Sequence, residues 1–176
     1  MPPRPSATAD GVAGAWPSHA LSSSRAGLAE LRKEVDSLDS DTSPETDQAM
    51  ARFLVLRACG HVEFTFDESF CAFAESKSSP SVASYVRTQF FRGANPSAAR
   101  IGETLRKLDP SRADKFEDFI NEDDQRLKRE LDFMVNRRNK IAHGQSETVR
   151  RRKALDLADV SAEIADWVVT SLDPRT

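Results

Sequence analysis

The chain has 176 residues, 39% of them hydrophobic and 30% charged, with a formal net charge of −3 at pH 7. That length suits one domain of ordinary size with a short appendage, and the near-neutral balance excludes a generic polyanion binder. No run approaches the ~18 consecutive apolar residues of a membrane span, and "MPPRPSATADGVAGAWPSHA" lacks a basic start followed by an apolar block. The expected location is therefore the cytoplasm, with no membrane partner.

Aromatic residues are mostly Phe, and the seven glycines are scattered; both favour helices over a sandwich. Residues 1–24 are rich in Pro, Ala, Ser and Gly without apolar periodicity and are expected to form a flexible tail outside the fold. In the segment 25–43, Leu28, Leu31, Val35 and Leu38 recur at helical spacing ahead of the polar linker "DSDTSPETD". Ser43 as cap and Pro44 at the first helical position then predict a long helix to about residue 77, ended by "SKSSPS". A further helix is expected from Ser81 to about Arg92, stopped by Gly93. Asn95 with Pro96 gives a second cap-plus-proline signal for "NPSAARIGETLRKL", and "DPS" at 109–111 a third.

The next helix is expected from near Asn121, where Glu122, Asp123 and Asp124 would complement its dipole, to about Ala142, with His143 and Gly144 as the stop. After a short basic loop, "LADVSAEIADWVVTSL" closes the chain, with Trp167 and Val168 in the core. No strand signal and no internal repeat stand out. The fold class is all-α, a helical bundle over 44–173. Cys59 and Cys71 fall within the long helix without metal-ligand spacing and are read as buried, reduced thiols. No metal and no cofactor are expected.

Charge is distributed unevenly. Residues 126–153 hold ten Lys or Arg against three Asp or Glu, a local excess of seven positive charges in a chain that is negative overall. On a helical wheel, Leu127, Leu131, Met134, Val135, Ile141 and Ala142 share one arc, and Arg138 falls within it. A charge on a packing face needs a partner, because an unpaired buried ion is costly. The long early helix carries Val55, Cys59, Val62, Phe66, Phe70 and Phe73 on its apolar arc, with Glu63 intruding. Glu63 and Arg138 are thus natural partners. Asn139 and His143 lie four apart and hence side by side, making a polar corner with Arg138. Arg57, His61 and Glu68 fall on the opposite stripe, which is read as solvated.

The segment "RRNKIAHG", with Arg138 and His143 separated by four residues and Asn139 directly after the arginine, resembles the R-x4-to-6-H signature of the HEPN superfamily. "LVLRACGHVE", residues 54–63, resembles the first core helix of HEPN domains of the RiboL-PSP kind. The resemblance implies a HEPN-like bundle working as a homodimer through the motif helix, and a metal-independent endoribonuclease that leaves 2′,3′-cyclic phosphate ends. Its setting would be a toxin or antiviral-defence system with an antitoxin or other regulatory protein. It also implies roles. His143 would exchange a proton near neutrality, Arg138 would meet phosphate charge with its planar fork, and Asn139 would orient the phosphate or the histidine, with Glu63 holding the arginine. Arg137, Lys140, Arg150, Arg151 and Arg152 would gather RNA phosphates.

Each residue also has a plainer reading. A His before Gly at a helix end serves as a cap, Arg138 serves as a buried ion-pair residue, and a basic run is a solvated face. Two other functions stay open: a non-catalytic HEPN module that binds RNA, a nucleotide or a protein, and a helical scaffold protein. Fold does not decide among them.

Overall fold

The structure is a computed structural model, and it describes residues 15–90, 95–145 and 148–176. Six helices follow one another: α1 (His19–Asp36), α2 (Pro44–Ser76), α3 (Pro80–Gln89), α4 (Ala98–Leu108), α5 (Pro110–Ala142) and α6 (Arg151–Ser171). No strand occurs among the described residues, so the all-α expectation holds.

α2 begins where Ser43 and Pro44 direct it. The Ser43 hydroxyl accepts from the Thr46 N–H at 3.2 Å, and the proline takes a position where no N–H is needed. The helix then runs through the middle of the bundle. It packs most extensively on α6, with α1, α3 and α5 on its other sides. Val55, Cys59, Val62, Phe66, Phe70 and Phe73 are all buried as their spacing predicts, and Leu157, Ile164 and Val168 of α6 join the same core. Trp167 is partly buried, stacked on Phe119 with ring centroids 5.3 Å apart. Cys59 and Cys71 are free and buried, and burial pushes their thiols up to about 12 and about 11.

The N-terminal boundary differs from the expectation. The composition places the end of the tail at residue 24, whereas α1 starts at His19, capped by Ser18, and Leu21 is buried. What the sequence pattern hides is a set of long-range anchors. Trp16 Nε1 donates to the Val169 carbonyl at 3.0 Å, Arg25 pairs with Asp166 at 2.7 Å, and Arg32 grips Asp159 with two hydrogen bonds of 2.5 and 2.8 Å. α1 is therefore part of the same bundle. Residues 1–14 lie outside the described residues.

Helix ends also move. Asn95 does not cap α4; Ser97 does, accepting from the Arg100 N–H at 3.3 Å. α3 closes at Gln89, and the expected stop at Gly93 lies outside the described residues. α5 joins the two helices expected over 109–142. Between them Glu122 is extended and Asp123, Asp124 and Gln125 have φ of 49°, 55° and 60°. The three acids therefore form the joint rather than the first turn of a helix. α6 begins at Arg151, so the basic run is its cap and first turn, not a loop.

His61 is the largest departure. Expected on a solvated stripe, it is only 4% exposed because α1 covers that side of α2. Its Nδ1 lies 2.8 Å from the Ser24 hydroxyl, and Nε2 has no partner. Burial, reinforced by the positive charges of Arg25 and Arg57, pulls its pKa down to about 4.

Two measurements check this picture. Leu21→Ala should cost about 2–4 kcal/mol in urea unfolding; no change would put α1 outside the cooperative unit. Because the unfolded imidazole titrates near 6.5 and the folded one near 4, the unfolded state binds more protons between those values. Stability should be complete above pH 6.5 and fall by on the order of 3 kcal/mol as pH drops towards 4. His61→Phe should flatten that slope.

Candidate functional site

The site is built where the second half of α5, residues 126–142, runs along α2. Leu127, Leu131, Met134 and Val135 face the core and fix the rotation of this segment. Its end is a Schellman closure. Gly144 has φ of 69°, its N–H reaches the Ile141 carbonyl at 3.0 Å, and the Gln145 N–H reaches that of Lys140 at 3.0 Å. A side chain at 144 would be strained in that left-handed conformation. His143 is thereby held as the C-cap, its N–H bonded to the Asn139 carbonyl at 3.0 Å, with its side chain exposed to solvent.

Arg138 is treated quite differently. Its side chain is 29% exposed and one nitrogen lies 3.9 Å from Glu63 Oε2. Another nitrogen donates to Asn95 Oδ1 at 3.1 Å and to Asn139 Oδ1 at 3.3 Å. Glu63 is the partner, and Asn139 the neighbour in the polar corner, that the sequence points to. Asn95 is not, because its Asn-Pro context looks like a helix cap; Ser97 takes the cap and leaves the amide free to face the guanidinium. The N-terminus of α4 is itself tied to α5, with the Ala98 N–H donating to Asp132 Oδ1 at 3.4 Å.

Electrostatically this corner is crowded. Burial raises the Glu63 carboxyl, Arg138 and Arg100 oppose that rise, and Asp67 adds to it, with a net shift upward. Arg138 also opposes the upward shift of Cys59, one helical turn before Glu63. The carboxylate is thus charged at a cost that its ion pair only partly offsets, in line with a long 3.9 Å contact.

Beside the exposed His143 lies a groove of about 490 Å³, lined by Phe53 and Leu56 of α2 and by Ile141, Gly144 and Gln145. Phe53 is 47% exposed. Within one chain, the guanidinium and the imidazole have separate surroundings. Arg138 faces α2 and the start of α4, while His143 faces outward at the helix end.

The RiboL-PSP-HEPN family profile matches residues 26–172. The chain belongs to the RiboL-PSP-HEPN family. No curated protein and no solved structure gives a significant match. The HEPN match begins within α1 and ends at the close of α6, so it takes in all six helices in whole or in part.

In this HEPN chain the basic segment divides by use. Arg151, one of the residues the resemblance assigns to RNA phosphates, has its guanidinium 3.2 Å from Asp47 and donates to the Leu38 carbonyl at 2.7 Å, fastening α6 to the α1–α2 connection and the start of α2. Lys153 is bound to Glu130 at 2.5 Å, and it and Arg137 both sit against the Phe133 ring, at 5.1 and 4.9 Å from its centre. Arg150 is exposed at the α6 cap, and Arg152 is 86% exposed despite a 3.2 Å pair with Asp156. Lys140 lies in the last turn of α5, where a cation suits the helix dipole. Among the described residues no group of three or more His, Cys, Asp or Glu could hold a metal ion, and no helix is long and apolar enough to cross a membrane.

The Glu63 carboxyl makes stability depend on pH. Its folded pKa lies above the ordinary value, so the native state binds more protons than the unfolded one in that interval, and stability falls as pH rises through it. Glu63→Gln should therefore leave stability at pH 7 unchanged or higher, with the difference fading below the ordinary carboxylate range. Equilibrium unfolding at pH 7 and pH 4 measures this; a large loss confined to pH 7 would show that the ion pair outweighs desolvation.

Proposed function

We propose that this protein is an endoribonuclease that acts as a homodimer on cytoplasmic RNA. The observation that carries the reading is the pairing, within one HEPN motif, of a guanidinium fixed by Glu63, Asn95 and Asn139 with an exposed imidazole at the end of the same helix. A fixed guanidinium suits a developing phosphorane, whose charge it can meet without reorganising. A solvent-exposed imidazole suits proton transfer to and from RNA oxygens.

A single chain leaves these two groups facing different ways, so the reactive site belongs to a pair of chains. A twofold axis beside the Phe53–Leu56 groove would bring His143 and its counterpart, His143 of the partner subunit, across a shared cleft. One imidazole takes the proton of the 2′-hydroxyl, whose oxygen attacks the adjacent phosphorus. The P–O5′ bond breaks, the other imidazole returns a proton to the leaving 5′-oxygen, and the products are a 2′,3′-cyclic phosphate and a 5′-hydroxyl. Every atom and proton is supplied by RNA and side chains. Lys140, Arg150 and Arg152, with Arg137 beside Phe133, would line the approach of the phosphate backbone. In a toxin or antiviral-defence setting, a neutralising protein would act by covering the His143 end of α5.

The second reading, a HEPN module that binds RNA, a nucleotide or a protein without cutting RNA, draws on the same geometry. Arg138 is already engaged by three side chains of its own chain, which suits a structural role.

Incubation with single-stranded and structured RNAs in EDTA, followed by end analysis, separates the two. Cleavage should give cyclic-phosphate ends, and His143→Ala and Arg138→Ala should each lower the rate by about 10²-fold or more, with dimer mass unchanged by light scattering. RNA retention without cleavage would support the second reading and end the first.

A further inference from the structure

A hollow of about 340 Å³ lies between α4 and the two halves of α5. Ile120 lines it from before the joint at 122–125, and Lys128 and Asp132 from after it. The floor is apolar and buried, made by Ala98 and Gly102 of α4 with Phe116 and Ile120 of α5. It is open over the Phe116 ring because position 102 has no side chain. A Cβ there would meet Phe116 at 3.8 Å, an ordinary contact, so packing does not demand glycine, and glycine in a helix interior is less stable than alanine.

The rim is charged, and part of that charge is uncommitted. Arg106 is taken by Glu117 and by Asp114. Lys128 and Glu103 make no ion pair among the described residues, and Asp132 is engaged there only by the Ala98 N–H at 3.4 Å. Glu103 and Asp132 are exposed and Lys128 is half-buried, so all three are within reach of a ligand seated on the floor. Lys128 and Asp132 are neighbours one turn apart on α5, and Glu103 stands on the facing helix. A purely anionic ligand would meet two unpaired carboxylates here, and a purely cationic one the Lys128 ammonium. A small molecule carrying both charges answers both signs, and an apolar substituent on it would cover the floor.

We propose that this hollow binds a free α-amino acid with an aliphatic side chain. Its carboxylate pairs with Lys128, its ammonium with Glu103 and Asp132, and its side chain lies over Gly102, Phe116 and Ile120. The assignment does not depend on the ribonuclease reading.

The test is a titration of the full chain with L-leucine at pH 7, followed by ¹H–¹⁵N correlation spectra. Low ionic strength is used because salt screens exposed charges. The controls are 4-methylpentanoate, which lacks the ammonium, and 3-methylbutylamine, which lacks the carboxylate. Saturable shifts should centre on Ala98, Gly102, Ile120 and Lys128, and leucine should bind about fivefold more tightly than either control, the effect of one exposed ion pair. Lys128→Gln should make leucine no better than the amine, and Glu103→Gln combined with Asp132→Asn no better than the carboxylate. Ala99→Leu, an exposed position in the wall of the hollow, should abolish binding of all three while the spectra report that the fold persists. Shifts absent up to the solubility limit, shifts that survive Ala99→Leu, or equal affinity of leucine and either control for the unaltered chain would each overturn the proposal.

Discussion

The whole molecule is organised by the encirclement of α2. A 33-residue helix with neighbours on several sides cannot afford one apolar stripe and one solvated stripe; it must bury Val55, Cys59 and Val62 and, on another side, His61 and Thr65. Every polar group it carries is then a local problem. His61 is met by Ser24 from α1, and Glu63 by Arg138 from α5. Hydrophobic burial sets the arrangement, and the polar contacts fix which helix faces which side of α2.

From that constraint comes the division of labour in the HEPN motif. Arg138 projects back towards α2 and is held there by three groups from three separate segments, so its position is determined by the packing of the bundle. His143 stands past the last helical residue, where the left-handed Gly144 turns the chain away. One residue is therefore rigid and half-buried and the other solvated, although only four positions separate them. The same packing sorts the basic run. Arg151 is consumed in joining α6 to Asp47 and Leu38, and Lys153 in holding Glu130, while Arg150 and Arg152 stay at the surface.

The joint in α5 has a comparable mechanical meaning. Asp123, Asp124 and Gln125 adopt the left-handed region, which costs non-glycine residues energy, and the break is braced by Arg126 on Glu163 at 3.0 Å and by Arg129 on Asp124 at 3.3 Å. The first half packs with α4 and meets α2 through Arg112 over the Phe73 ring, while the second half follows α2 and holds the start of α4 through Asp132.

Much of this was legible in the residues themselves. Helical spacing marked the core of α2 and of the second half of α5, Ser43–Pro44 marked where α2 begins, and two opposite charges on packing faces pointed to the Glu63–Arg138 pair. Those features depend on neighbours within a few residues or on pairing rules that apply in any fold. The burial of His61, the release of Asn95 from capping, the inclusion of residues 15–24 and the structural use of Arg151 were decided only in three dimensions. Each depends on a group more than 35 positions away in sequence, on Ser24, Arg138, Val169 and Leu38 respectively. Local sequence sets what each helix offers on its surface; which offer is taken up depends on the neighbour that packing brings to it.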